Sequence, residues 1–189
     1  MNTKNLISAL LIIAIAMTLS SVAASVFVYY PVSITLSPTA PDVRLVEGSN
    51  AGQADLGGST ITVTITGSTK ASITIHPTNE RTYYKNVTVI VNTGSATYYG
   101  WIKVNTPISA NGITAAKLII KDTSGATVAT VDLMSTTLQG GGFSIPAGGK
   151  LFIDIEVQID STIDPTTITS GNVASIDLVY SPQSVETPP

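Results

Sequence analysis

The chain of 189 residues contains no cysteine, a single histidine, a single tryptophan and little charge. Without cysteine there is no disulfide framework, no thiol nucleophile and no sulfur-ligated metal; compartment is left open, because secreted proteins need not carry disulfides. The lone histidine, His76, excludes every two-histidine metal site, HExxH included. Any Ser–His–Asp arrangement would have to use it, and its place on the Ser72/Thr74 face of a strand pattern reads as a solvated residue. Charged residues make up 11% and the formal net charge is −3, with the basic residues scattered. No basic stripe exists for nucleic acid and no polybasic segment for anionic lipid. Gly148-Gly149-Lys150 is similar to the end of a P-loop. Yet Ser144 stands where the first glycine belongs, Leu151 replaces Ser/Thr, and a strand pattern follows. No G-x-S-x-G occurs. Asp154 and Glu156 are neighbours on one strand face, the spacing of a carboxylate pair, but a polar strand face reads as solvated. The expectation is a protein that is not an enzyme.

What is present is β composition. Hydrophobic residues reach 43%, and Val, Ile, Thr and Tyr dominate. The length suits one domain with a sizeable core. At the N-terminus, Lys4 precedes an apolar run from Leu6 to Ile15 that continues more weakly to Ala24, with Ser20, Ser21, Ala23 and Ala24 at its end. This is the layout of a secretory signal peptide over 1–24, with Ser25 as first mature residue. The competing reading is an uncleaved anchor, since the run nearly suffices to span a membrane. Once it is cut, the sequence carries no sorting signal or second apolar run to hold the protein to a membrane, so the expected location is extracellular or at the cell surface.

The remainder alternates with period two. Ile61, Val63 and Ile65 lie between threonines. Ala71, Ile73 and Ile75 alternate with polar residues, as do Val87, Val89 and Val91. Leu151, Ile153, Ile155, Val157 and Ile159 make the cleanest stretch. Further strands are predicted over Thr97 to Val104, Lys117 to Lys121, Val128 to Leu133 and Ala174 to Tyr180. Turn signals separate them at Gly57-Gly58, Gly67-Ser68, Asn92-Thr93-Gly94-Ser95, Asn111-Gly112, Asp122 to Gly125, Gly140 to Gly142 and Pro146 to Gly149. Asp42 to Gly58 reads as a long loop, and Ala115 to Leu118 hovers between a helical start and a strand. Short strands at this spacing, with one apolar face, predict an all-β, jelly-roll-like antiparallel β-sandwich over 42–180. Ser181 to Pro189 is a proline-containing tail.

The segment 25–36 is distinct. Val26, Val28, Tyr30, Val32, Ile34 and Leu36 would share one face of an extended strand. Pro31 cannot donate to a ladder, which confines such a strand to an edge. Ser37-Pro38-Thr39-Ala40-Pro41 then forms a stiff hinge over 37–41. Two readings follow. The strand is either the first strand of its own sandwich or a donor strand that completes a neighbouring subunit by β-augmentation. Six such side chains would contribute roughly 1.5–3 kcal/mol each on burial. Left free, the strand is an aggregation hazard. Head-to-tail donation is heterologous and generates an open filament.

The stretch Tyr83-Tyr84-Lys85-Asn86-Val87-Thr88-Val89-Ile90-Val91-Asn92-Thr93-Gly94-Ser95, followed by Tyr98-Tyr99-Gly100-Trp101-Ile102-Lys103-Val104, resembles the strand–NTGS–strand segment of TasA/camelysin-like secreted β-sandwich proteins. Ile145-Pro146-Ala147-Gly148-Gly149-Lys150, leading into Leu151 to Ile159, is similar to a later part of that fold. With Ala54-Asp55-Leu56-Gly57-Gly58, the chain resembles archaeal bundling pilins and related archaeal fibre, tube or cannula subunits. The resemblance implies a jelly-roll-like sandwich, secreted with a cleaved signal, whose N-terminal strand enters the next subunit. It thus implies a homopolymer serving adhesion, bundling or biofilm matrix, with copies of itself and cell-surface components as partners. The proteolysis associated with camelysin is not carried over, because no metalloprotease motif supports it.

Three further sites stand out in the sequence. Asp160 and Asp164 bracket a turn, and Asp42, Glu47 and Asp55 share the long loop. Hard oxygen ligands of this kind suit calcium, although no EF-hand spacing is present and solvated loop carboxylates are the plain alternative. Asn86-Val87-Thr88 is the one N-x-[ST] sequon and a candidate glycosylation site. Trp101 alternates with Tyr99 and Lys103, an aromatic set that suits either sugar or core packing. The alternative to a fibre subunit is therefore a monomeric secreted surface or carbohydrate-binding β-sandwich module.

Overall fold

The computed structural model describes residues 2–4, 7, 30–78, 80–168, 174–184 and 186–188. The signal peptide predicted over 1–24 falls almost entirely outside them. No helix among the described residues is long and apolar enough to cross a membrane.

The chain from Ala40 onward is all-β with antiparallel pairing. Among the described residues ten strands follow in order: β1 (Val43–Glu47), β2 (Thr62–Thr66), β3 (Lys70–Thr74), β4 (Glu80–Asn92), β5 (Tyr98–Thr106), β6 (Ile113–Lys121), β7 (Thr127–Asp132), β8 (Leu138–Ile145), β9 (Lys150–Ile159) and β10 (Ser175–Ser181). A five-stranded sheet has the order β1-β4-β9-β6-β7, a three-stranded sheet the order β10-β5-β8, and β2-β3 form a hairpin. The neighbours β4, β9 and β6 are far apart in sequence, so the chain crosses repeatedly between layers.

Period-two alternation builds the core as expected. On β9, Leu151, Ile153, Ile155, Val157 and Ile159 face inward and are buried. Ala116, Leu118 and Ile120 of β6 stand opposite Val157, Ile155 and Ile153 on the same face. From the other sheet come Ile102 and Val104 of β5 with Phe143 and Ile145 of β8, in one continuous apolar cluster. The two sheets and the hairpin thus form a sandwich around a single core.

Two expectations are overturned, and an ambiguous stretch takes one of its two forms. Asp42 to Gly58 is not a bare loop, because its first residues form β1 against β4. Gly140 to Gly142 is not a turn but lies inside β8, where φ angles of +98°, +63° and +74° bend the strand. The glycines are needed there: a Cβ on Gly142 would sit 3.1 Å from the Trp101 ring. The Ala115 to Leu118 stretch resolves as strand, within β6.

Candidate functional site

The described part of the N-terminal segment forms no strand. Residues 30–41 have no regular structure. Tyr30, Val32, Ile34 and Leu36 are 80–84% exposed. Val26 and Val28, the other members of that apolar row, lie outside the described residues.

The point where this segment joins the sandwich is tightly built. Asp42 accepts a hydrogen bond from the Tyr98 hydroxyl at 2.6 Å on Oδ2. Its carbonyl accepts the Thr93 N–H at 2.9 Å and the Thr93 hydroxyl at 3.0 Å. The Asp42 carboxylate is the first cause of a Tyr98 pKa above the ordinary tyrosine value, with desolvation second. Gly94 is obligatory here, since a Cβ would lie 2.7 Å from the Asp42 carboxyl. Beneath sits Asn92, fully buried, whose Nδ2 reaches the carbonyls of Ala96, Ile145 and Pro146 while its Oδ1 accepts the Gly94 N–H. The Asn-Thr-Gly-Ser turn is therefore a buried knot that joins β4, β8 and the chain entry. Tyr98 also meets Tyr180 of β10 edge-on, with centroids 5.4 Å apart.

The outer face of the five-stranded sheet carries a second cluster. Asp154 and Glu156 are not solvated: they are 1% and 7% exposed. Glu156 pairs with Arg81 of β4 and lies 3.9 Å from Lys117 of β6. Asp154 accepts the Tyr83 hydroxyl at 2.5 Å and Lys121 Nζ at 3.0 Å on Oδ2, and the Asn86 N–H at 2.6 Å on Oδ1. Burial raises the Asp154 pKa, but these hydrogen bonds outweigh it and hold the carboxyl below its ordinary value. Lys121 is pushed above the ordinary lysine value, first by Tyr83 and then by Asp154. The register explains the third donor. Between the pairs Tyr84↔Ile155 and Thr88↔Ile153, Lys85, Asn86 and Val87 face Asp154 alone. That bulge places Asn86 at φ +48°. Beside it runs an open cleft of about 530 Å³ lined by Asn50, Asn86, Lys121, Phe152, Asp154 and the loop from Asp122 to Gly125.

The sequon lies in this bulge. Asn86 is half-buried and its Nδ2 donates to Ser49 Oγ at 2.8 Å, while Thr88 is 2% exposed and its hydroxyl donates to the Val46 carbonyl. A glycan on Asn86 would replace the Ser49 bond.

His76 stands beyond the end of β3 rather than on its polar face. Its Nδ1 lies 3.0 Å from Asp55 Oδ2, and its backbone N–H donates to the same oxygen at 2.8 Å. Burial raises the Asp55 pKa, but hydrogen bonds from the Leu56 N–H and from His76 bring it below the ordinary value. Burial first, and the Asp55 charge second, push the neighbouring Tyr84 hydroxyl upward. No serine or threonine hydroxyl hydrogen-bonds to this pair among the described residues.

The calcium candidates are each occupied locally. Asp160 Oδ1 accepts the N–H and hydroxyl of Thr162, and Asp164 Oδ1 accepts those of Thr166. Among the described residues no group of three or more acidic or histidine side chains is placed to hold a metal ion. Trp101 is 6% exposed and packs over Gly142, so its ring is no open platform for sugar.

Compared with known proteins, the chain matches no family model and no curated protein.

Proposed function

We propose that this chain is a structural subunit of an extracellular fibre. In this reading residues 1–24 are removed on secretion, and 26–36 of each copy complete the sandwich of the next. The observation that carries it is the exposed row Tyr30, Val32, Ile34 and Leu36, set off from the sandwich by Pro38 and Pro41. An apolar alternating strand without a partner costs solubility. A filament covers it in every copy, and each contact exposes the next. The fibre would be jelly-roll-like in its repeating unit, free of enzymatic activity, and engaged with its own copies and with cell-surface components. Calcium on Asp160 and Asp164 is an expectation of the same reading, tested by whether a chelator shortens the fibres.

Negative-stain microscopy of a chain beginning at Ser25, beside one beginning at Pro38, tests the proposal. Filaments from the first and none from a folded second are expected. Monodisperse particles from the first, with and without calcium, would overturn it in favour of a monomeric surface module.

A further inference from the structure

We infer that the acceptor is the free edge of β10, so that residues 26–36 of a second copy turn the β10-β5-β8 sheet into a four-stranded one. This rests on the fibre reading and adds the place where copies join.

Three other edges are each engaged at a point or bent. At β1, the outward N–H of Leu45 donates to the Ser68 carbonyl of the β2-β3 turn at 2.8 Å. At β7, the Gln139 side chain takes both the N–H and the carbonyl of Asp132, the last residue of the strand, at 2.7 and 2.9 Å. At β8, three successive left-handed glycines break the extended backbone. From Ile176 to Ser181, by contrast, β10 pairs with β5 in unbroken register. Among the described residues its far side takes no backbone hydrogen bond from another element. Such an edge is a template for strand addition.

Burial points the same way. Ile176, Leu178 and Tyr180 face inward opposite Val104, Ile102 and Gly100 of β5. The two apolar β5 partners are each 1% exposed, yet all three β10 residues are only half-buried. The core thus fades at β10. A strand with an alternating apolar face would cover this row, and the exposed even-numbered residues from Tyr30 to Leu36 have that pattern.

The chain entry argues for a second copy over the chain's own segment. Asp42 holds Tyr98, and Tyr98 meets Tyr180 at the end of β10. A segment that paired with its own β10 without doubling back through residues 37–41 would finish at that same end and run parallel to it. Among the described residues every pairing between strands is antiparallel, and parallel pairs are slightly less stable per residue. A second copy is under no such constraint.

The absence of cysteine makes cross-linking a clean test. Chains from Ser25 carrying Ser33→Cys are mixed with chains carrying Asp177→Cys or Val179→Cys on β10, Ser72→Cys on β3, or Thr130→Cys on β7. They are then polymerised and mildly oxidised. Disulfide geometry tolerates only adjacent backbones, so covalent dimers several-fold more abundant with a β10 variant than with Ser72→Cys or Thr130→Cys are expected. Polymers whose dimers form at β3 or β7, or at none of these sites, would overturn this inference and leave the fibre reading standing. So would a chain carrying both Ser33→Cys and Val179→Cys that closes on itself as a monomer. Absence of any polymer from unsubstituted chains would overturn both.

Discussion

The carboxylate of Asp154 on β9 holds the backbone N–H of Asn86 on β4 at 2.6 Å, and Asn86 is a left-handed residue at φ +48°. One buried acid thus fixes the bulge of the longest strand while pairing with Lys121 across the sheet. Its removal would strand three donors in one place: the Tyr83 hydroxyl, Lys121 and the Asn86 amide.

Asp154→Ala should lower stability by about 2–3 kcal/mol, because it leaves Lys121 and the Asn86 amide uncompensated. Lys121→Met should cost less, since Asp154 keeps the Tyr83 and Asn86 donors. Urea unfolding checks both: the midpoint should fall with the slope unchanged. Equal losses would mean that the carboxylate does not organise the bulge.

At Asn86 the backbone conformation should matter more than the side chain. Asn86→Gly gains left-handed freedom and loses the Ser49 bond, for a net change within about 1 kcal/mol. Asn86→Val puts a β-branched residue where φ is positive and should cost about 2 kcal/mol or more. A Val variant as stable as the Gly variant would refute the bulge geometry.

Acid should destabilise the sandwich through Asp154 and Asp55, both held below the ordinary carboxylate value. The unfolded chain then binds protons first as the pH falls, at about 3.9. The stability these groups contribute is therefore complete above that value and is lost as the pH drops through their lower folded-state values. Urea midpoints at pH 7, 4 and 3 should decline, and Asp154→Asn should decline less steeply. Parallel profiles would show that Asp154 is not the titrating group.

Gly100 should tolerate no side chain. A Cβ there would stand 2.6 Å from the Phe143 ring and 3.2 Å from Ile145. Gly100→Ala is expected to cost about 1–3 kcal/mol by overpacking, read as a lowered melting temperature. An unchanged melting temperature would show that Phe143 can move aside.

Trp101, the single tryptophan, should emit as a buried indole and shift to the red only on unfolding. Oligosaccharide titration should leave its emission unchanged. A saturable shift in the folded protein would bring back the carbohydrate-binding reading.

What was legible in the sequence depended on whether alternation was enough. The stretch from Leu151 to Ile159 alternates strictly, and β9 lies there as expected. In β8 the glycines that suggest a turn lie inside a strand, where Gly142 makes room for Trp101, a demand set by a neighbouring strand and invisible in local pattern. Strand β1 is short, and its Arg44 and Glu47 are exposed, which reads as loop until its pairing with β4 is seen. Asp154 and Glu156 showed their shared face at once. Their burial depended on Arg81, Tyr83, Lys117 and Lys121, which only the strand register brings alongside. The alternation in the sequence of 25–36 was equally plain, but no pattern within a segment specifies which edge would receive it in a fibre.

The knot at Asp42 has a mechanical meaning in a fibre built this way. Tension along the filament would enter each subunit at that residue. The bonds to Thr93 and Tyr98 would share the load before the β1-β4 ladder felt it. Because Asn92 ties the same turn to β8 through the Ile145 carbonyl, a pull on one chain end would be spread over both layers of the sandwich instead of peeling away its first strand.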